Sequence, residues 1–193
     1  MEGKLFGIGK ECFTVGSHDF YLAYAVKNGV GVCMDTGHYH PTETIVDKIS
    51  SVYKFVDTIM LHISRGIRWD SDHVVILDDE TKEIAKEIVR NGALDRVFIA
   101  TDYFDASINR ISAWVTGIRS VHKALLLALL EPNEKMKKLQ DESRFTELMV
   151  LQEDMKTAPF GDIWDEYLRR ENISNDYISA ILDYEKNTLE ARK

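Results

Sequence analysis

Short, unbroken apolar runs alternate along the chain with longer stretches in which apolar residues recur every three or four positions. Residues 30–34, 58–63 and 96–100 are such runs, of the kind that forms strands buried on both faces of a parallel sheet. Between them the helical period takes over. Ser17 caps a helix with Phe20, Tyr21, Tyr24 and Ala25 on one side, and Asn28-Gly29 stops it. A second helix begins at Thr42, after Pro41, and lines up Ile45, Val46, Ile49, Val52, Tyr53 and Val56. A third, over residues 80–90, is capped by Asp78 or Asp79, turns Ile84, Ile88 and Val89 inward and ends at Asn91-Gly92. Residues 4–8 read as one more extended piece within a glycine-rich opening.

After the third clear strand the pattern is helical only. A long helix over residues 107–130 is broken by Pro132, and Pro159-Phe160-Gly161 marks a later turn. The pattern predicts an α/β region with a parallel sheet over residues 1–130 and an all-helical extension over residues 131–193, packing on the first region or on a neighbouring subunit. A dinucleotide fold would place a glycine-rich turn after a first strand, and Gly7-Ile8-Gly9 is only a fragment of that fingerprint. A (β/α)8 barrel is favoured by where the polar residues fall.

Composition narrows the function classes. The net charge of −8 over 193 residues disfavours nucleic acid as a partner. Two cysteines, Cys12 and Cys33, are too few for a disulfide scaffold and suit a reduced, cytoplasmic setting. No basic-then-apolar leader opens the sequence, and its longest mostly apolar run, residues 124–130, is short of a membrane span.

Candidate chemistry sits where strands end. Asp35 closes the first clear strand, His62 lies near the end of the second, Asp102 closes the third, and Glu2 stands where an earlier strand would close. In a parallel barrel those ends open on one face, so three carboxylates and one imidazole converge. Such a set suits Mn²⁺, Mg²⁺, Co²⁺ or Zn²⁺. A second set lies in the loops: His38, three residues past Asp35, and Asp70 and Asp72 flanking Ser71. Three ligands leave coordination positions open for water or substrate oxygens. Plainer roles fit other residues: Asp78, Asp79 and Thr42 as helix caps, His40 as structural, and His122 on the surface or at an interface. Asp70 and Asp72 also suit turn formation, and Trp69 serves as a core anchor or a wall for a sugar ring.

Several longer motifs carry a resemblance. Lys4-Leu-Phe-Gly-Ile-Gly, Val15-Gly-Ser-His-Asp-Phe, Asp35-Thr-Gly-His-Tyr-His-Pro-Thr-Glu, Arg68-Trp-Asp-Ser-Asp-His-Val-Val, Asp102-Tyr-Phe-Asp-Ala-Ser-Ile-Asn-Arg and Ala124-Leu-Leu-Leu-Ala-Leu-Leu-Glu-Pro resemble L-rhamnose isomerase. The resemblance implies the C-terminal portion of a (β/α)8 barrel followed by a helical region, in a homotetramer that interconverts L-rhamnose and L-rhamnulose with divalent metal, Mn²⁺ first among the candidates. It implies that Glu2, Asp35, His62 and Asp102 hold a structural metal and that His38, Asp70 and Asp72 hold a catalytic one. Lys4 looks like the sugar-isomerase lysine that contacts substrate oxygen, and Asp35, His62, Asp102 and Trp69 also face substrate by the same carry-over. The family has a further N-terminal half carrying the early barrel strands, so this sequence is expected to supply part of an active site. Two other readings stand beside it: a half-barrel with only a binding or assembly role, and a metal-dependent epimerase or aldolase on a related barrel.

Overall fold

A computed structural model describes residues 1–4, 16–40, 42–67 and 72–192. They fall into two compact units, Met1–Leu125 and Leu126–Lys193, divided within one long helix.

The first unit alternates strand and helix. Helix α1 spans His18–Asn28; strand β1, Val32–Asp35, follows, then helix α2, Val46–Val52, strand β2, Ile59–Ile63, helix α3, Asp79–Arg90, strand β3, Val97–Thr101, and helix α4, Arg110–Leu130. The three strands form one parallel sheet in the order β1-β2-β3, with Asp35 beside His62 and His62 beside Ala100. The start of the chain runs along the free edge of β1. Glu2 makes a parallel bridge to Cys33, and the Cys33 N–H donates to the Met1 carbonyl at 2.7 Å.

Local chemistry explains the element ends. The Ser17 hydroxyl accepts from the Phe20 N–H, and Gly29 closes α1 in the left-handed conformation at φ 62°. The Asp78 carboxylate accepts from the Thr81 N–H and starts α3. Helix α2 begins at Val46, later than Thr42, because the Thr44 hydroxyl accepts the Val46 N–H and terminates the preceding turn. Helix α4 likewise begins at Arg110 because the Asn109 side chain accepts from the Ser112 N–H. Residues 5–8 of the expected first extended piece lie outside the described residues.

Each strand presents two faces in alternation. Val32, Met34, Ile59, Leu61 and Ile63 point to one face and are buried with Ile45, Ile49 and Val52 of the α2 region and Ile84 and Ile88 of α3. The opposite face carries Cys33, Asp35, Met60, His62, Phe98 and Ala100, and there Phe98 is 63% and Met60 41% exposed. Exposure on that face is confined to β2 and β3, whereas Asp35 at the end of β1 is 1% exposed and Cys33 and His62 are half-buried. Helix α1 departs from its pattern: Ala25 is buried while Phe20 and Tyr24 are exposed, their rings tilted against each other with centroids 6.2 Å apart.

Helix α4 is 21 residues long, and by length and composition alone it is apolar enough to cross a membrane, which the short run at residues 124–130 does not suggest. Ser112, Ala113, Val121 and Ala124 are buried, Ile111, Trp114 and Ile118 are exposed, and Arg119, His122 and Lys123 interrupt the sequence. Its Gly117 admits the Tyr103 ring: a Cβ there would fall on the Tyr103 hydroxyl.

The second unit is helical. Helices α5, Asn133–Asp141, α6, Phe145–Met155, α7, Phe160–Arg170, and α8, Tyr177–Tyr184, follow one another. Met136, Leu139, Trp164 and Leu168 are buried, whereas Phe145, Met149, Ile178 and Leu182 are exposed.

Candidate metal centre

The C-terminal ends of the three parallel strands bring the site together. Asp35 is the last residue of β1 and caps the short 3-10 turn Thr36–His38, its Oδ1 accepting the Gly37 N–H at 2.8 Å. That turn lifts His38 back over Asp35, leaving His38 Nε2 3.8 Å from Asp35 Oδ2. His62, paired with Asp35 in register, projects from the same sheet face. The chain start places Glu2 beside them, with Oε1 2.9 Å from His38 Nδ1 and Oε2 3.6 Å from His62 Nδ1. Asp102, just past β3 and with its side chain 63% exposed, has Oδ2 3.5 Å from His62 Nδ1. Among the described residues, the groups whose ligand atoms lie within 4.8 Å of one another are Asp35 with His62 and Asp102, Glu2 with Asp35 and His38, and Glu2 with Cys33 and His62.

His62 Nδ1 is thus ringed by oxygens of Glu2, Asp35 and Asp102 at 3.6, 3.6 and 3.5 Å. These are spacings expected within one ion's coordination sphere, about 3 to 4 Å for ligand bonds near 2.1 Å. They are too long for hydrogen bonds. Asp35 Oδ2 and His62 Nδ1 are buried and have no hydrogen-bond partner among the described residues. Buried polar atoms are costly unless satisfied, so lone pairs that converge without a donor fit a cation.

Electrostatics agree with this fit. Burial pushes the Asp35 carboxyl up to about 6, with Asp72 and Glu2 adding to the rise and His38 and the Gly37 N–H opposing it. Cys33 lies near Glu2 and His62, and burial together with Glu2 pushes its thiol up to about 12. The carboxylate oxygens and imidazole nitrogens of the group are a donor set that suits Mn²⁺, Mg²⁺, Co²⁺ or Zn²⁺.

The loop set is described in part. His38 stands in the group above, and Asp72 reaches its edge through Ser64. The Ser64 Oγ–H lies 3.2 Å from Asp35 Oδ1 and 3.2 Å from Asp72 Oδ1. Two main-chain hydrogen bonds between Arg65 and His73 close the base of the Asp72 loop, and the Phe104 N–H donates to the Asp72 carbonyl at 3.3 Å. Asp70 and Trp69 lie outside the described residues. The Lys4 N–H donates to the Gly16 carbonyl at 2.8 Å, which fixes its backbone two residues beyond Glu2.

Three contributors carry no ligand signature in the sequence. Ser64 follows β2, Thr36 follows Asp35, and Cys33 precedes it by one inward position. The Thr36 hydroxyl donates to the Ser64 carbonyl at 2.6 Å and accepts the Ser64 N–H at 2.8 Å, locking the two strand ends together. Their signal lies in position: small hydroxyl residues directly after a strand whose end bears an acid or imidazole.

Comparison with known proteins places the chain. The family model for L-rhamnose isomerase (RhaA) matches residues 1–192. L-rhamnose isomerase of Mannheimia succiniciproducens is 52% identical over 194 residues, covering 100% of this chain and 46% of that relative. Those of Pectobacterium carotovorum and Yersinia pestis are each 50% identical, again covering 100% of this chain and 46% of the relative. The chain spans about half the length of the relatives it matches.

Proposed function

This chain belongs to the L-rhamnose isomerase family, and we propose that it provides the metal-holding half of an enzyme that interconverts L-rhamnose and L-rhamnulose. The observation that carries the reading is the convergence of Glu2, Asp35 and Asp102 oxygens on His62 Nδ1 at strand C-termini. A scaffold with only an assembly role has no physical need for that set, since burying Asp35 costs stability unless a cation offsets it.

In this reading Glu2, Asp35, His62 and Asp102 hold one divalent ion, and His38, Asp70 and Asp72 hold a second. Mn²⁺ is the first candidate. When bound, the ions supply Lewis acidity that polarises O1 and O2 of the open-chain sugar. The chain's own residues do the rest. Asp35, His62 and Asp102 orient the sugar hydroxyls, and Trp69 offers a flat wall to the ring face. Asp70 and Asp72 support removal of the proton from the O2 hydroxyl. Hydrogen moves from C2 to C1 and the proton from O2 to O1, so C1 is reduced as C2 is oxidised within one molecule. The Lys4 ammonium stabilises negative charge that grows on oxygen.

The wider assembly follows the same reading. Residues 1–130 are part of a (β/α)8 barrel whose remaining strands lie on the Met60 and Phe98 face and along the free edge of β3. Residues 131–193 form a helical extension, whose exposed Phe145, Met149, Ile178 and Leu182 suit contact with further copies in a tetramer. A cytoplasmic catabolic enzyme fits this picture.

The test is ketose formation. L-rhamnose is incubated with the protein and Mn²⁺, alone and with a relative's complementary half supplied, and with a chelator as control. L-rhamnulose that disappears with chelator supports the reading. No ketose in any arrangement overturns it, and cleavage products or epimers in its place point to an aldolase or epimerase.

A further inference from the structure

Ser64 touches carboxylates from both sets. Its side chain is 7% exposed, directly after β2, and its backbone is clamped by Thr36 through hydrogen bonds in both directions. Its position is therefore set by the sheet and not by the loop. From there the hydroxyl faces Asp35 Oδ1, Asp72 Oδ1 and the Thr36 hydroxyl, each at 3.2 Å. Asp35 Oδ1 also receives the Gly37 N–H, which leaves Asp35 Oδ2, on the side of His62, as the oxygen directed into the cluster.

We infer that Ser64 is a positioning residue that sets the spacing and orientation of the two metal-binding carboxylates, by sharing one hydroxyl proton between Asp35 and Asp72. The inference rests on the two-metal reading above and assigns a role to a residue that binds neither ion. The physical reason is donor economy. A hydroxyl has one proton, and two anionic oxygens compete for it. Donation to either carboxylate turns its second oxygen outward and steadies its basicity, as outer partners of metal ligands do. Because the serine backbone is fixed by Thr36, this hydroxyl ties the Asp72 side chain to Asp35, while the Arg65–His73 pair and the Phe104 N–H hold the main chain around it. Removal therefore loosens both sites together, which no residue serving a single ligand would do.

The experiment is a Mn²⁺ titration of the metal-free protein, following the free-ion electron paramagnetic resonance signal, with Ser64→Ala and Ser64→Thr beside the wild type. Two wild-type binding events are expected. Ser64→Ala is expected to weaken both by roughly tenfold or more, the range seen when an outer partner of a metal ligand is lost. Ser64→Thr, which keeps the hydroxyl, is expected to restore most of the loss. A residue that only packs would lower thermal stability and leave affinity unmoved. Should Ser64→Ala not fold, Ser64→Cys keeps the volume with a weak donor, and the same loss at both sites is expected. Wild-type affinity at both sites in the donor-poor variant, or weakening at one site alone, overturns the shared-proton role. A wild-type protein that binds no Mn²⁺ overturns the metal reading instead.

Discussion

At the scale of single residues, Asp35 shows how a buried acid burdens the fold that carries it. It is 1% exposed, and burial pushes its carboxyl up to about 6. Asp35→Asn should leave the metal-free protein no less stable, since it removes a buried charge. The same variant should lose the stabilisation that Mn²⁺ gives the wild type, about 2.7 kcal/mol at one hundred times the dissociation constant. Urea denaturation with and without Mn²⁺ measures both, and an equal metal response in the two proteins would remove Asp35 from the ion. His18, which is none of the proposed ligands, provides a pH test. Burial, followed by Lys48, holds it below 6.5, against Asp19 and Glu43, while the Tyr39 hydroxyl meets its Nδ1 at 3.0 Å. The unfolded chain therefore binds a proton that the folded chain resists. The stability contribution is full above pH 6.5 and is lost as pH falls from there through the lower folded value. Urea midpoints at about pH 7.5 and about pH 5.5 should separate more in the wild type than in His18→Gln. Equal separations would show that His18 does not carry the dependence. The strand-end acids were legible in the sequence because an acid or imidazole at each strand end is a chemical pattern. Ser64 was not, because a serine after a strand looks like any turn former.

At the scale of elements, the apolar runs located all three clear strands, with ends shifted by a residue or two, and the caps at Ser17 and Asp78 lay where the sequence put them. The starts of α2 and α4 were less legible. Thr44 and Asn109 compete for the first helical N–H groups, and a polar side chain that caps is indistinguishable in sequence from one that sits inside the first turn. The faces of the strands were also hidden, since a continuous apolar run does not say which alternate residues are packed. Glycine positions provide a paired test. Gly117→Ala, where the new Cβ would meet the buried Tyr103 ring, should destabilise by about 1–3 kcal/mol. Gly161→Ala in α7 meets nothing within 4 Å and should stabilise by a few tenths to about 1 kcal/mol. Thermal unfolding of both variants checks the contrast; a harmless Gly117→Ala would mean that Tyr103 does not pack against α4 as described.

At the scale of the whole molecule, the parallel order β1-β2-β3 sets Asp35, His62 and Asp102 at one end of one sheet. Sequence alone reached the α/β class because helix and strand periods alternate cleanly up to α4. It could not say how exposed the second sheet face is, because Met60 and Phe98 read as core residues whichever side they face. The helices after α4 were legible as helices only, since their apolar positions do not distinguish burial within the chain from contact with another copy. The central claim is that the strand ends form a cation site, and it concerns a position in space. The most direct measurement is an anomalous difference map at the manganese edge, from crystals of the protein grown with Mn²⁺ and L-rhamnose. The account predicts a peak enclosed by Glu2, Asp35, His62 and Asp102, about 2.1 Å from His62 Nδ1. No peak there, with manganese bound elsewhere or not at all, would contradict it.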